Sequence, residues 1–460
     1  LIYKGEYIVN WCPKDKTALA DDEIEHEEVT GKIWQIKYPV KDSDESLTIA
    51  TTRPETMLGD TGVAVNPNDS RYKHLIGKSV ILPLMNREIP IVADEYVDME
   101  FGTGAVKMTP SHDPNDFEVA KRTNLPLLNV MEEDGSINEN GGKYKGLDRF
   151  VARREVLKDL EELGLLVEVK EHHHSVGHCY RCGTVIEPRV SNQWFVRMQP
   201  LAKKALEVVR NGEITISPQR WIKVYYNWLE NIRDWCISRQ LWWGHRIPAY
   251  YSEDGTIFVA KSLEEAKQQA KEKYGKEVEL REETDVLDTW FSSQLWPFST
   301  MGWPEKTKDF EKFFPTDALV TAADIIFFWV SRMIMISEYL FDEIPFKYVY
   351  LNGIVRDEKG RKMSKTLGNS PDPLDLIDKY GADAIRFSLL YNTSQGQDIF
   401  FSEKLLEMGA NFSNKVWNAS KFVLQNLEDF DYKTSISDLE FKLEDRWILS
   451  KLQNAAKGVN

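Results

Sequence analysis

A change of pattern along the chain constrains its fold more than any single motif does. Residues from about 30 to 132 read as short extended runs, at 33–40, 47–51, 80–84, 89–92, 105–108 and 127–131, separated by turn residues. A helix fits 149–163, with Asp148 as its N-cap and Gly164 just beyond its end. From about 176 onward the pattern turns to longer helices mixed with extended runs, which is the pattern of an α/β body. Ser262 and Glu265 make a capping box for a helix ending near Gly275, 324–341 is long and apolar, Asp372-Pro373 opens a helix that closes at Gly381, and the chain after Phe401 reads as helix. The β-rich module is therefore expected to be an insertion. An inserted domain needs its ends close together, so a neck is expected, with Cys12 on the outgoing side and Cys179 and Cys182 on the returning side.

The chain has 460 residues, enough for roughly three domains at about 150 residues each. Apolar residues make up 42% and charged residues 28%, which excludes disorder and collagen. The longest apolar run, 325–336, is broken by Ser331 and Arg332, so no bilayer-spanning segment and no membrane partner are expected. Four cysteines are too few for a disulfide framework, and the reading is a cytoplasmic protein. The net charge of −15 repels polyanions at long range. Locally the sign reverses: Arg356, Lys359, Arg361, Lys362 and Lys365 outweigh Asp357 and Glu358, in a stretch suited either to a phosphate or simply to solvent.

Three constellations carry chemistry. Thr51-Thr52-Arg53-Pro54-Glu55-Thr56 places hydroxyls, a guanidinium and a carboxylate at the end of an apolar strand, as a phosphate or ribose site would, or as a polar turn would. In the stretch from Phe101 to Asp116, Gly102-x-Gly104 lacks the third glycine of a dinucleotide fingerprint. Lys107 and Thr109 share a strand face, and Asp113 precedes Pro114 as an N-cap would, with Asp116 in the first turn. Those aspartates fit a helix start; with Lys107, Thr109 and His112 they also suit a cationic amine, a hydroxyl and a water to be activated. The third is Gly360-Arg361-Lys362-Met363-Ser364-Lys365-Thr366-Leu367-Gly368, a glycine-bounded loop with two lysines three apart and no P-loop.

Lys362 to Thr366 is similar to the KMSKS signature of class I aminoacyl-tRNA synthetases, with its last residue changed to Thr. Thr51 to Thr56, Asp288-Thr289-Trp290-Phe291-Ser292-Ser293 and Asn192-Gln193-Trp194-Phe195 resemble that family's valine branch; the isoleucine and leucine branches differ where Glu55 stands. The resemblance implies the second half of a Rossmann-type α/β catalytic domain with an inserted β-rich editing domain and the start of an α-helical anticodon-binding domain. The expected segments are 1–29 as neck, 30–175 as editing domain, 176–345 as catalytic half, 346–400 around KMSKS and 401–460 as the start of the helical domain. No His-x-Gly-His string occurs, and its place in the family would be upstream of Leu1, so a fragment of a longer enzyme is expected.

The resemblance also implies roles. Lys362 and Lys365 would stabilise the pyrophosphate leaving from ATP, taken with Mg²⁺, while Trp290, Ile325 and Trp329 would wall the valine side chain. Residues four apart on a helix share a face, which agrees for Ile325 and Trp329. In the editing domain Arg53 and Lys107 would position the terminal adenosine of tRNA specific for valine, and Phe101 would pack against it. Asp116 would hold the α-ammonium, Asp113 with Thr109 would read a threonine hydroxyl, and Thr52 and Thr56 would line the pocket. The expected activity is valine–tRNA ligation in the intact protein with hydrolysis of threonyl-tRNA, the fragment keeping only the second; the alternatives are a non-catalytic tRNA-binding remnant or an isoleucyl or leucyl relative. No protein partner is implied. Cys12, Cys179 and Cys182, joined by Asp15 or His178, form a candidate Zn²⁺ site.

Overall fold

The computed structural model describes residues 1–364, 367–394, 396–427 and 439–459, apart from the side chain of Asp22. The chain divides into two compact units, Leu1–Leu319 with Asp324–Tyr350, and Val320–Ala323 with Leu351–Asn460.

In the first unit the chain leaves and returns along two successive antiparallel ladders. The outgoing strand Ile2–Cys12 pairs with the returning strand Glu187–Val196, from Ile2 opposite Val196 to Trp11 opposite Glu187. Further out, Ile24–Pro39 pairs with Leu166–Cys179, from Ile24 opposite Cys179 to Ile36 opposite Leu166, with an irregularity at Gln35/Ile36. This long ribbon is polar along much of its length, carrying Glu27, Glu28, Glu171, His172 and His173, and its stability rests on main-chain pairing rather than on a buried face. The two ladders bring the ends of the stretch between them side by side.

The ribbon feeds a lobe. Strand Ser46–Thr51 adds to Ile24–Pro39, and a four-stranded sheet runs in the order Ser79–Leu82, Arg87–Ala93, Gly62–Val65, Ala105–Met108. Gly62–Val65 is buried on both faces, lies parallel to Arg87–Ala93 and antiparallel to Ala105–Met108, and is the central strand of the lobe. Helix Arg149–Glu162 starts at the Asp148 cap, whose carboxylate accepts from the amides of Phe150 and Val151 at 2.9 and 3.3 Å. Ala152, Val156 and Leu160, spaced four apart, point one face into the lobe core with Ile36, Tyr38, Leu47, Ile49 and Val63.

Segment 127–131 was expected to be a strand and is not one. The Val130 amide donates to the His112 ring and the Met131 amide to the Asn129 side chain, so side chains satisfy groups that a ladder would have used. In the body, Thr215–Ser217 runs parallel to strand Phe346–Asn352, Thr215 facing Tyr348, while helices Gln199–Arg210 and Ser331–Phe341 pack together. The expected continuous helix at 324–341 is instead a 3-10 turn, a π turn over Ile326–Val330, and an α-helix from Ser331. Among the described residues no helix is long and apolar enough to cross a membrane.

The second unit is helical, with Pro373–Tyr380, Ala382–Tyr391, Glu403–Gln425 and Leu443–Val459, plus a short parallel pair, Val355–Arg356 with Ile399–Phe400. Phe387 and Phe412 stack at 4.4 Å between ring centroids where two of the helices meet.

Leu160 is fully buried and Glu161 exposed on the same helix. In urea unfolding, Leu160→Ala should cost about 2–5 kcal/mol, and Glu161→Ala should stay within about 0.5 kcal/mol of the parent.

Candidate active site

The Thr51 to Thr56 turn is built by strand Ser46–Thr51 ending in a buried 3-10 turn, Pro54–Gly59. Arg53 is fully engaged there. Its Nη1 donates to the His112 carbonyl at 2.9 Å, its Nη2 pairs with Glu187, and its Nε lies 3.6 Å from Glu55. Glu55 is fully buried and takes two bonds from Arg153, each 2.7 Å, while Arg149 lies 2.7 Å from the other oxygen of Glu187. Burial pushes the Glu187 carboxyl up, and the neighbouring guanidinium of Arg53 pulls it back. Three arginines thus face two carboxylates, each carboxylate held by two guanidinium groups. Thr52 is half-buried in the same turn.

A second polar cluster lies beside it. Lys107 is 8% exposed, and its Nζ reaches the hydroxyls of Thr56 at 3.0 Å and of Thr109, and Asp60 Oδ1 at 3.2 Å. The Thr109 hydroxyl donates to Asp60 Oδ1 at 2.6 Å, and the Tyr38 hydroxyl donates to Oδ2 at 2.7 Å. Burial raises the Asp60 carboxyl above its ordinary range, opposed by Lys107, Thr109 and Tyr38. Sequence reading missed Asp60. The one signal was a carboxylate directly after the apolar Met57-Leu58-Gly59, where a charge is costly unless paired.

Helix Pro114–Thr123 closes the cluster. Asp113 is its N-cap, one oxygen accepting from the amides of Asn115 at 2.8 Å and Asp116 at 3.2 Å. Asp116 instead turns back, its Oδ2 accepting the Thr109 amide at 2.8 Å. Its carboxyl is pushed up to about 8, first by burial and then by the Asp113 charge. His112 is the opposite case: burial and the nearby Arg53 and Lys107 drive its ring down to about 3, and the neutral Nε2 accepts the Val130 amide at 3.0 Å. Phe101 stands 63% exposed on a turn whose Gly102 and Gly104 take positive φ. The structure therefore brings Thr56, Lys107, Thr109 and Asp116 together around Asp60, ties Arg53 to them through the His112 carbonyl, and leaves Phe101 on an open turn.

At the neck, Cys12, Asp15, Cys179 and Cys182 present ligand atoms all within 4.8 Å of one another. Cys12 and Cys182 sulfurs lie 3.4 Å apart, and Cys179 Sγ is 3.6 Å from Asp15 Oδ2. Two tight turns do this, one closed by the Lys16 amide on the Cys12 carbonyl and the other by the Gly183 amide on the Cys179 carbonyl. His178, the other candidate, is paired opposite Glu25 in the ribbon, so of the two the cluster takes Asp15.

A sequence family described as tRNA synthetases class I (I, L, M and V) matches residues 1–402. The chain belongs to the class I tRNA synthetases. Relatives named valine–tRNA ligase share 66% identity in Fusobacterium nucleatum, 57% in Thermotoga maritima and 59% in Clostridium tetani, each across the whole of this chain and 52% of the relative. The chain thus spans about half the length of the curated relatives it matches.

Of the residues expected to serve activation, Trp290, Ile325 and Trp329 belong to the first unit and Lys362 to the second. Trp290 sits in the short helix Thr289–Ser293, capped by Asp288, which also takes bonds from Trp235 and Arg239. Its ring is 5.9 Å from Phe328, whereas Trp329 donates to the Ser293 carbonyl at 3.0 Å and meets Trp296. Ile325 lies where the 3-10 turn gives way to the π turn, so its spacing to Trp329 is not the α-helical one that the sequence suggested. In the second unit, Lys362 bridges to Arg356 across a turn held by Asp357, which accepts from the Arg361 amide and guanidinium and from Asn369. Arg356 pairs with Asp398 and Arg361 with Asp357, so part of the local positive excess is neutralised. Lys365 and Thr366 lie outside the described residues.

Asp116 supplies a test. An unfolded carboxyl releases its proton near 3.8, the folded one near 8, so its favourable contribution is full below 3.8 and is lost as pH rises through 8. Melting temperature measured from pH 4 to 9 should therefore fall more for the parent than for Asp116→Asn, which keeps an oxygen for the Thr109 amide.

Proposed function

We propose that the chain is part of a valine–tRNA ligase, which in its intact form activates valine with Mg²⁺-bound ATP and transfers it to its cognate tRNA in the cytoplasm. Lys362 and Lys365 would neutralise charge developing on the departing pyrophosphate. An apolar pocket for valine barely rejects threonine, by about a hundredfold, a figure established for valine-specific enzymes themselves. The lobe would answer that weakness by hydrolysing threonyl-tRNA.

The observation that carries this reading is the buried Lys107, Asp60, Thr109 and Asp116 cluster beside the Asp113 helix start, in a chain 66% identical to a valine–tRNA ligase. An aminoacyl ester is already activated, so hydrolysis needs a positioned water and a place for negative charge. Lys107 supplies the cation. Asp113 uses one oxygen on its cap and offers the other to an ammonium or hydroxyl, and Asp116, part-protonated near neutral pH, can donate as well as accept. A valine side chain in such a site leaves polar groups unpaired, which discriminates against it. Half of the ATP site, the His-x-Gly-His part, does not occur in these 460 residues, so this chain alone is proposed to edit and not to form valyl-adenylate.

Deacylation of Thr-tRNA by this chain should exceed that of Val-tRNA; equal rates, or none above buffer, overturn the reading. Asp113→Ala should slow Thr-tRNA deacylation tenfold or more while lowering stability by about 1 kcal/mol for the lost cap. A similar stability loss with unchanged deacylation would reduce Asp113 to a cap.

Three cysteine sulfurs and one carboxylate with ligand atoms within 4.8 Å of one another suit Zn²⁺, which would staple the two turns together. Atomic emission should find about one zinc per chain, lost in Cys12→Ser, with a lower melting temperature after chelation. A metal-free purified protein whose melting is indifferent to added zinc would remove the site.

A further inference from the structure

The three cysteines gathered between the ladders can react with one another as well as bind a metal, and their surroundings differ. Cys12 ends strand Ile2–Cys12 and Cys179 ends strand Leu166–Cys179; both are buried with Leu19, and Ile186 packs against them. Cys182, within the turn that the Gly183 amide closes, is half-exposed. Cys179 directs its sulfur at Asp15 Oδ2, 3.6 Å away, whereas the sulfurs of Cys12 and Cys182 face each other at 3.4 Å, although 170 positions separate them in the chain. Cys236 is buried with its sulfur toward the Ser238 carbonyl and lies outside the cluster.

Cysteine chemistry follows exposure and neighbours. A sulfur that solvent reaches takes an oxygen atom from a peroxide and becomes a sulfenic acid, and a second thiol within reach then displaces that oxygen. Bonded sulfurs lie about 2.05 Å apart, so Cys12 and Cys182 need approach by only about 1.4 Å.

We propose that Cys182 and Cys12 form a peroxide-reactive pair, Cys182 being the sulfur that meets the oxidant and Cys12 the sulfur that resolves it. The Cys182 sulfur attacks one oxygen of hydrogen peroxide, the O–O bond breaks, and the other oxygen leaves with the thiol proton as water. The Cys12 sulfur then attacks the sulfenic sulfur, the S–O bond breaks, and the hydroxide leaves with the Cys12 proton as a second water. In sum two thiols and one peroxide give one disulfide and two waters, with two electrons passing from sulfur to oxygen. The new bond clamps the turn after the outgoing strand to the turn before the returning one. It also consumes two of the three sulfurs available to a metal, leaving Cys179 and Asp15, too few ligands for a structural zinc. Metal and disulfide therefore exclude each other. That exclusion rests on the zinc reading; the pairing of the sulfurs does not.

The full chain, stripped of metal with a chelator and desalted, is treated with hydrogen peroxide, then denatured, alkylated and digested without reductant. Two of its four thiols should be lost to alkylation. Mass spectrometry should find the Cys12 and Cys182 peptides joined with a deficit of two hydrogens, reversed by dithiothreitol, and Cys236 alkylated as before. In Cys12→Ser, Cys182 should stop as a sulfenic acid that a cyclic diketone labels, while Cys236→Ser should form the parental link. A link from Cys182 to Cys179 instead, sulfinic acid at Cys182 of the parent without a link, or oxidation no faster than that of Cys236 overturns the proposal. Zinc added before the peroxide should slow the link about tenfold or more. A chain that takes up no zinc and still forms the Cys12–Cys182 link keeps the pair and sinks the metal reading. A chain that holds zinc but forms no link once stripped of it keeps the metal and sinks the pair.

Discussion

The lobe exists because one stretch of chain leaves the body and comes back beside itself. Main-chain pairing of Ile2–Cys12 with Glu187–Val196, and then of Ile24–Pro39 with Leu166–Cys179, brings residues separated by well over a hundred positions into contact. The loop-closure cost of that separation grows only with the logarithm of length, so one set of ladders is enough to hold a whole domain. Everything proposed for the lobe follows from this closure. Glu187, on the returning strand, meets Arg53 of the lobe, and Cys179 and Cys182 meet Cys12 and Asp15.

Inside the lobe the organising problem is charge. Arg53, Arg149 and Arg153 with Glu55 and Glu187, and Lys107 with Asp60, lie largely out of water. Removing one member would strand its partner, at a cost of several kcal/mol, although the pairs themselves contribute little net stability. The same dryness sets the protonation states. Asp116, lacking a dedicated cation, keeps its proton toward neutrality, while His112, surrounded by cations, stays neutral. Burial thus produces an acid and a base form at one helix start from residues that would both be charged in mild acid in water.

Local features were legible in the sequence and distant pairings were not. The caps at Asp113, Asp148, Ser262 and Asp372, and the stop at Gly275, were readable because a cap depends on the next few residues. The shared face of Lys107 and Thr109 followed from strand periodicity. The cysteine cluster followed from the logic of a neck, with its fourth member left open. Asp60 had only its apolar approach to mark it, since its partners Tyr38, Lys107 and Thr109 lie 22 residues before and 47 and 49 residues after it, and no period links them. The π turn at Ile326–Val330 was invisible for a related reason: an apolar run does not declare how many residues make each turn. Segment 127–131 looked like a strand by composition, but side-chain partners captured its amides first.

The ribbon's two-residue alternation has a mechanical corollary. Sliding Ile24–Pro39 by a single position along Leu166–Cys179 would exchange its two faces and shift Ile24 from its place opposite Cys179. Because the ribbon is polar along much of its length, its own faces specify register weakly, and alignment falls instead to its ends, to the pairing with Ser46–Thr51 and to the turns that gather the cysteines.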